Sequence, residues 1–176
     1  MRLPLLLAGL AAVGPCLADN RSIVDSTADG GPGTLRAAIS QMQPNNGVQT
    51  IRFVFGGPGV IALASALPDL RGEHIVLDAT QATGLVVDAQ ANPLFKVHAG
   101  TSVQTILVQG LSVRNGLSGQ WGGCIDVNTR GTLKVFDSNF ENCETFGTNL
   151  GESGGGAIRT NGNPAALGAL GISERE

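Results

Sequence analysis

Asp126, Asp137 and Glu141, with Arg114, Arg130 and Arg159, are the residues of this chain whose types and spacing suit chemistry. Carboxyl groups that converge on a sugar or a Ca²⁺ ion, with a basic residue to take a proton, are what a polysaccharide-cleaving site needs. Asp126 and Arg159 stand in two similar phrases, "GGCIDVN" and "GGGAIRTN". Equivalent places in a repeat would bring the two residues to one face. Outward positions on strands carry polar residues in any case, so the sequence alone reads these six as a solvated rim and assigns no catalytic residue. His74 and His98 are far apart and lack companions at ligand spacing, so no metal site is assigned. The Ser, His and Asp residues lack a Gly-x-Ser-x-Gly phrase, and no cofactor-binding motif is found. Sugar sites favour aromatic platforms, yet the chain has no Tyr and only one Trp, Trp121.

The elements that would position such residues come from the repeat. From Thr50 onward the chain runs as short apolar-polar stretches bounded by Gly, Pro, Asn or Asp: "TIRFVF", "VIALAS", "HIVLDA", "LVVDA", "LFKVHA", "TILVQGLSV", "CIDVN" and "TLKVFDSNF". Strict alternation puts Ile75 with Leu77, Phe95 with Val97, Ile106 with Val108, Ile125 with Val127 and Leu133 with Val135 on one side. Sliding "ILVQGLSVRN" onto "LKVFDSNFEN" aligns Ile106 with Leu133, Val108 with Val135, Val113 with Phe140 and Asn115 with Asn142. A longer offset aligns Gly123 with Gly156, Ile125 with Ile158 and Asn128 with Asn161. Unequal offsets fit a coil of parallel strands, in which one turn swells while the strands keep their stack. "ETFGTNLGES" (144 to 153) is the expected swollen turn. The Asn residues are expected at bends, where a left-handed backbone is tolerated and amides bond along the stack, and the Gly pairs at other bends.

Ahead of the strands, "DGGPG" is loop chemistry. It lacks the Gly-Lys-Ser/Thr of a phosphate loop and reads as a structural turn. Thr34 can cap a short helix whose Leu35, Ala38, Ile39 and Met42 share a face. That helix would cover the end of the coil, where core and strand edge are otherwise open.

Bulk properties narrow the function. Only 14% of residues are charged, 26 are Gly, and 11 basic against 14 acidic residues leave a net charge of −3 with no basic run. Nucleic acid and anionic membranes are therefore excluded as partners. The leader "MRLPLLLAGLAAVGPCLA" has a basic start, a short apolar stretch and a small-residue end, which predicts a secretory signal over residues 1–18. Neither it nor any later segment is long enough for a transmembrane helix. With the leader removed, Cys124 and Cys143 remain. A bridge between them is open, but their different positions within the repeat favour two separate small buried thiols.

The stretches "VDSTADGGPGTLRAAISQMQPNNGVQTIRF", "VIALASALPDLRGEHIVLDAT", "ANPLFKV" and "VQGLSVRNG", with "GGCIDV…SNFENC…GGGAI", resemble bacterial exported β-helix proteins with polymorphic-outer-membrane-protein-type or adhesin-like repeats. The likeness covers about residues 23 to 163. Phe140 is followed by Asn142 one residue earlier than in that repeat. The resemblance implies a single-stranded right-handed parallel β-helix, all-β apart from the capping helix, at the cell surface or outside the cell. It transfers no catalytic residue. Such proteins are usually longer, so a truncated chain is expected.

The expected organisation is a leader (1–18), an N-terminal cap with the short helix (19–50), the parallel β-helix (51–163) and an irregular tail (164–176). The expected role is a non-catalytic, exported, surface or adhesin-like module that binds or builds structure. A surface glycan or protein is the expected partner, with association through the open end of the solenoid a further route. The alternatives are a pectate-lyase-like polysaccharide enzyme and an inert fragment of a larger surface protein.

Overall fold

The computed structural model describes residues 20–44, 47–97, 105–119, 122–127, 132–146 and 156–160. The leader, His98, Trp121, Asn128, Arg130, Asn161 and the 164–176 tail lie outside the described residues.

The strands are β1 (Asn20–Val24), β2 (Val48–Phe53), β3 (Gly59–Ala62), β4 (His74–Asp78), β5 (Leu85–Asp88), β6 (Phe95–Val97) and β7 (Thr105–Gln109). They continue as β8 (Ser112–Arg114), β9 (Leu117–Ser118), β10 (Ile125–Val127), β11 (Thr132–Phe136), β12 (Asn139–Glu141), β13 (Glu144–Thr145) and β14 (Ile158–Thr160). One helix, α1 (Leu35–Ser40), follows β1. Every pairing between named strands is parallel, in the orders β1-β2-β4-β7-β11, β3-β5-β8-β12, β6-β10-β14 and β9-β13. The chain visits these sheets in turn and returns to the first one strand further along, which makes a β-solenoid of about 4 turns.

Alternation explains the stack. In the first sheet Gln49, Ile75, Ile106 and Leu133 lie in one row and Ile51, Leu77, Val108 and Val135 in the next. Ile61, Val87, Val113 and Phe140 form a row in the second sheet, and Phe95, Ile125 and Ile158 one in the third. The aliphatic members of the first-sheet rows are buried in one continuous core. Successive members sit about 4.8 Å apart, the spacing of hydrogen-bonded strands, so each residue packs on its counterpart in the next winding. The alignments read from the sequence are thus the observed registers: Ile106 pairs Leu133, Val113 pairs Phe140, and Ile125 pairs Ile158.

Two expected strands are each split by a corner. "TILVQGLSV" becomes β7 and β8 with Gly110 between them at φ +66, and "TLKVFDSNF" becomes β11 and β12 with Asp137 at φ 46. A Cβ at Gly110 would lie 3.0 Å from the backbone N of Thr80, so the corner of one winding rests on that of the previous one. Asn115 (φ 57) and Asn142 (φ 50) occupy the next corner, and the Asn142 amide reaches Asn115 Oδ1 at 3.4 Å, 27 residues away. The Gly122–Gly123 pair stands at a bend, as expected, although neither residue has a left-handed φ. A Cβ on Gly123 would meet the backbone of Glu144, including its N at 2.6 Å, so glycine is required by the close approach of two backbones.

That approach also corrects the expectation for the cysteines. Cys124 and Cys143 form a disulfide, with Cα atoms 5.5 Å apart. They do not share a repeat position, as the alignment indicated. The bridge instead crosses diagonally between successive windings, where Gly116, Gly123 and Glu144 meet and the Glu144 N–H donates to Gly116 O at 2.7 Å. The first two residues of the expected swollen turn form β13, which pairs with β9.

α1 begins as the sequence predicts. Thr34 accepts a hydrogen bond from Ala37 N at 3.2 Å, and Leu35, Ala38, Ile39 and Met42 are buried in the shared core. Arg36 on the other side donates to Asp29 Oδ1, Ser65 O and Ala66 O, which ties the Gly-rich loop and the turn after β3 to the helix. The Gly-rich loop closes on itself, with Asp25 and Ser26 N–H groups both donating to Gly33 O. β1 and the start of β2 already belong to the first sheet, so strand stacking begins inside the 19–50 segment. No helix among the described residues is long and apolar enough to cross a membrane.

Candidate functional site

Strand pairing in the third sheet brings Lys96, Asp126 and Arg159 into register on its outer face, each one winding beyond the last. Asp69 extends the row, since Leu70 bridges Val97 and Asp69 precedes it as Lys96 precedes Val97. Acid and base therefore alternate along the solenoid. Period-two alternation produces this row: the neighbours of Asp126, Ile125 and Val127, point into the core, so Asp126 must face outward.

Facing outward, Asp126 is nevertheless only 7% exposed. Its Oδ1 has no hydrogen-bond partner and lies 3.9 Å from Arg159 Nη1, an ion pair too long for a hydrogen bond. Burial pushes the Asp126 carboxyl above its ordinary pKa; Arg159 and Lys96 pull it down, and Asp69 adds to the rise. Asp126 is one of the residues that line a surface cleft of about 190 Å³, with Pro93, Phe95, Lys96, Ser118, Gly119 and Gly122. A buried, perturbed carboxyl in a cleft is a physical marker of a functional position.

The other sequence candidates lie away from this row. Arg114 and Glu141 pair in register in the second sheet, where Arg114 Nε donates to Asp88 Oδ2 at 2.8 Å. Asp137 is exposed at a corner. Of the six, strand pairing brings together Asp126 with Arg159 and Arg114 with Glu141, and Arg130 falls outside the described residues.

Two buried acids that sequence reasoning passed over do structural work. Asp78 Oδ1 accepts from the Thr80 hydroxyl at 2.6 Å and the Thr80 N–H at 3.1 Å, while Arg52 Nε stands 3.5 Å from Oδ2. Asp88 Oδ1 accepts from Gln90 N at 3.1 Å and from Asn115 Nδ2 at 3.0 Å. Burial raises both carboxyls, but it is outweighed. Thr80, Gln109 and Arg52 hold Asp78 below its ordinary value, as Asn115, Gln90 and Arg114 hold Asp88. The signal was present as a repeated phrase, Leu-Asp-Ala-Thr and Val-Asp-Ala-Gln, in which an acid ends a strand and bonds its own backbone two residues on. Lys96 was missed because it lies in a phrase without the Gly pair.

Among the described residues, no group of three or more His, Cys, Asp and Glu side chains is placed to hold a metal ion. No protein-family model, curated protein or solved structure matches this chain.

Proposed function

We propose that this chain is an exported, non-catalytic right-handed β-helix that acts as a binding or structural module at the cell surface, of the polymorphic-outer-membrane-protein or adhesin-like kind. In this reading α1 and its Arg36 ties close the first winding. The observation that carries the proposal is the row Asp69, Lys96, Asp126, Arg159, a polar surface repeated from winding to winding. Solenoids bind through extended surfaces of this kind. The Cys124–Cys143 bridge supports export, because disulfides persist in oxidising compartments. The leader at residues 1–18 points the same way.

The test is a panel of surface polysaccharides and proteins presented to the purified chain with and without Ca²⁺, scored for retention and for bond cleavage. Retention without cleavage is the expected result. The raised Asp126 carboxyl favours one second reading, a polysaccharide-active enzyme; cleavage that vanishes in Asp126→Ala would establish it.

A further inference from the structure

Asp126 Oδ1 is a buried acceptor that no protein group satisfies with a hydrogen bond, and Asp126 is one of the residues that line an open cleft. A buried polar atom without a partner is costly, so a group that enters the cleft and donates an O–H or N–H to it gains more than the same contact would give at an exposed carboxylate. The charges around it select the kind of donor. Asp126 lies between Lys96 and Arg159 in register, with Asp69 beyond Lys96. Two acids and two bases alternate, so the row has no net charge. Of these four, Lys96 and Asp126 line the cleft, so an incoming cation meets the Lys96 ammonium and an incoming anion the Asp126 carboxylate. A neutral donor meets neither penalty.

The shape narrows the choice further. At about 190 Å³ the cleft is smaller than the roughly 300–1,000 Å³ of pockets for drug-sized ligands. It has room for one small ring. Gly119 and Gly122 present backbone without side chains on one part of the wall, and Pro93 presents an apolar ring on another. Lys96, in register with Asp126, brings an ammonium donor to the same cleft. A pair of adjacent hydroxyls on a sugar ring answers both: one donates to Asp126 and its neighbour accepts from Lys96, while the C–H face of the ring lies against Pro93 and the glycines.

Resting on the surface-binding reading above, we propose that the Asp126–Lys96 cleft is a subsite for one neutral hexopyranose unit of a glycan, gripped through two neighbouring hydroxyls.

The test titrates neutral methyl hexopyranosides into the full chain, with glucuronate, glucosamine and Ca²⁺ alone as controls, followed by ligand-observed NMR and by the Asp126 side-chain carboxyl ¹³C shift. The expected result is saturable binding of at least one neutral pyranoside that moves the Asp126 signal. Asp126→Asn should weaken that binding by about tenfold or more, and the exposed Lys96→Met by less. Circular dichroism and melting establish that both variants fold. Equal affinity in folded Asp126→Asn, preference for the charged sugars, or Ca²⁺ binding without sugar each overturns the proposal. If Asp126→Asn still binds the polysaccharide panel as the wild type does, the cleft is wrong and the surface-binding reading survives. If the wild type is retained by nothing on the panel, that reading fails with it.

Discussion

Asn115 donates its side-chain N–H to Asp88 Oδ1 at 3.0 Å and receives one from Asn142 at 3.4 Å, so three windings are joined through a single file of polar side chains. Asn115 and Asn142 hold their corners in the left-handed region. The same side chain thus tolerates the turn and links it to the next.

Replacing Asn115 separates these two roles. Asn115→Gly keeps the corner and loses the amide, with an expected cost of about 1 kcal/mol. Asn115→Ala loses the amide and strains the backbone as well, for about 2–3 kcal/mol. Urea unfolding of the two variants should rank them in that order. At Ala91, held at φ 62 without a polar side chain to compensate, Ala91→Gly should raise the urea midpoint slightly.

The disulfide closes a loop across a sequence separation of 19 residues. On the chain-entropy account, reduction removes about 3 kcal/mol. Unfolding with and without reductant should show that difference, and Cys124→Ser with Cys143→Ser should match the reduced wild type. A difference near zero would mean that the close backbone approach at Gly123 already holds the windings together.

Gly123→Ala forces a Cβ onto the backbone of Glu144. We expect a loss of about 2 kcal/mol or more, as overpacking against backbone cannot be relieved by a rotamer change. Gly56→Ala, where a Cβ meets nothing within 4 Å, is the control and should lie within about 0.5 kcal/mol of wild type.

Acid should destabilise the fold through Asp78 and Asp88. Both carboxyls are held below their ordinary values when folded, so the unfolded chain binds more protons. Their contribution is fully present above the unfolded pKa and is lost as pH falls through the folded one. Asp126 has the opposite sign: its folded pKa is raised, so its contribution is greatest in acid and declines as pH rises through that raised value. Urea midpoints measured from about pH 7 to about pH 3 should fall with acid in the wild type. They should fall less in Asp88→Asn and more steeply in Asp126→Asn.

The stacking of windings was determined by sequence alone because it depends on alternation and on repeat offset, both of which are local. Once Ile106 and Val108 point inward, only one register lays Leu133 and Val135 on them. The helix cap at Thr34 and the left-handed corners at Asn115 and Asn142 were legible for the same reason, since each follows from the chemistry of a few neighbouring residues. Tertiary structure decided what depends on distance across the tube. Cys124 meets Cys143 through a diagonal contact that no alignment of equivalent positions reveals. At the Gly122–Gly123 bend, the need for glycine at Gly123 comes from the Glu144 backbone of the next winding. Asp126 and Arg159 were matched by their phrases, but Lys96 joined the row only through strand pairing. Whether an outward acid is solvated, bonded like Asp88 or buried without a donor like Asp126 depends on side chains one winding away, and that is a property of the assembled stack.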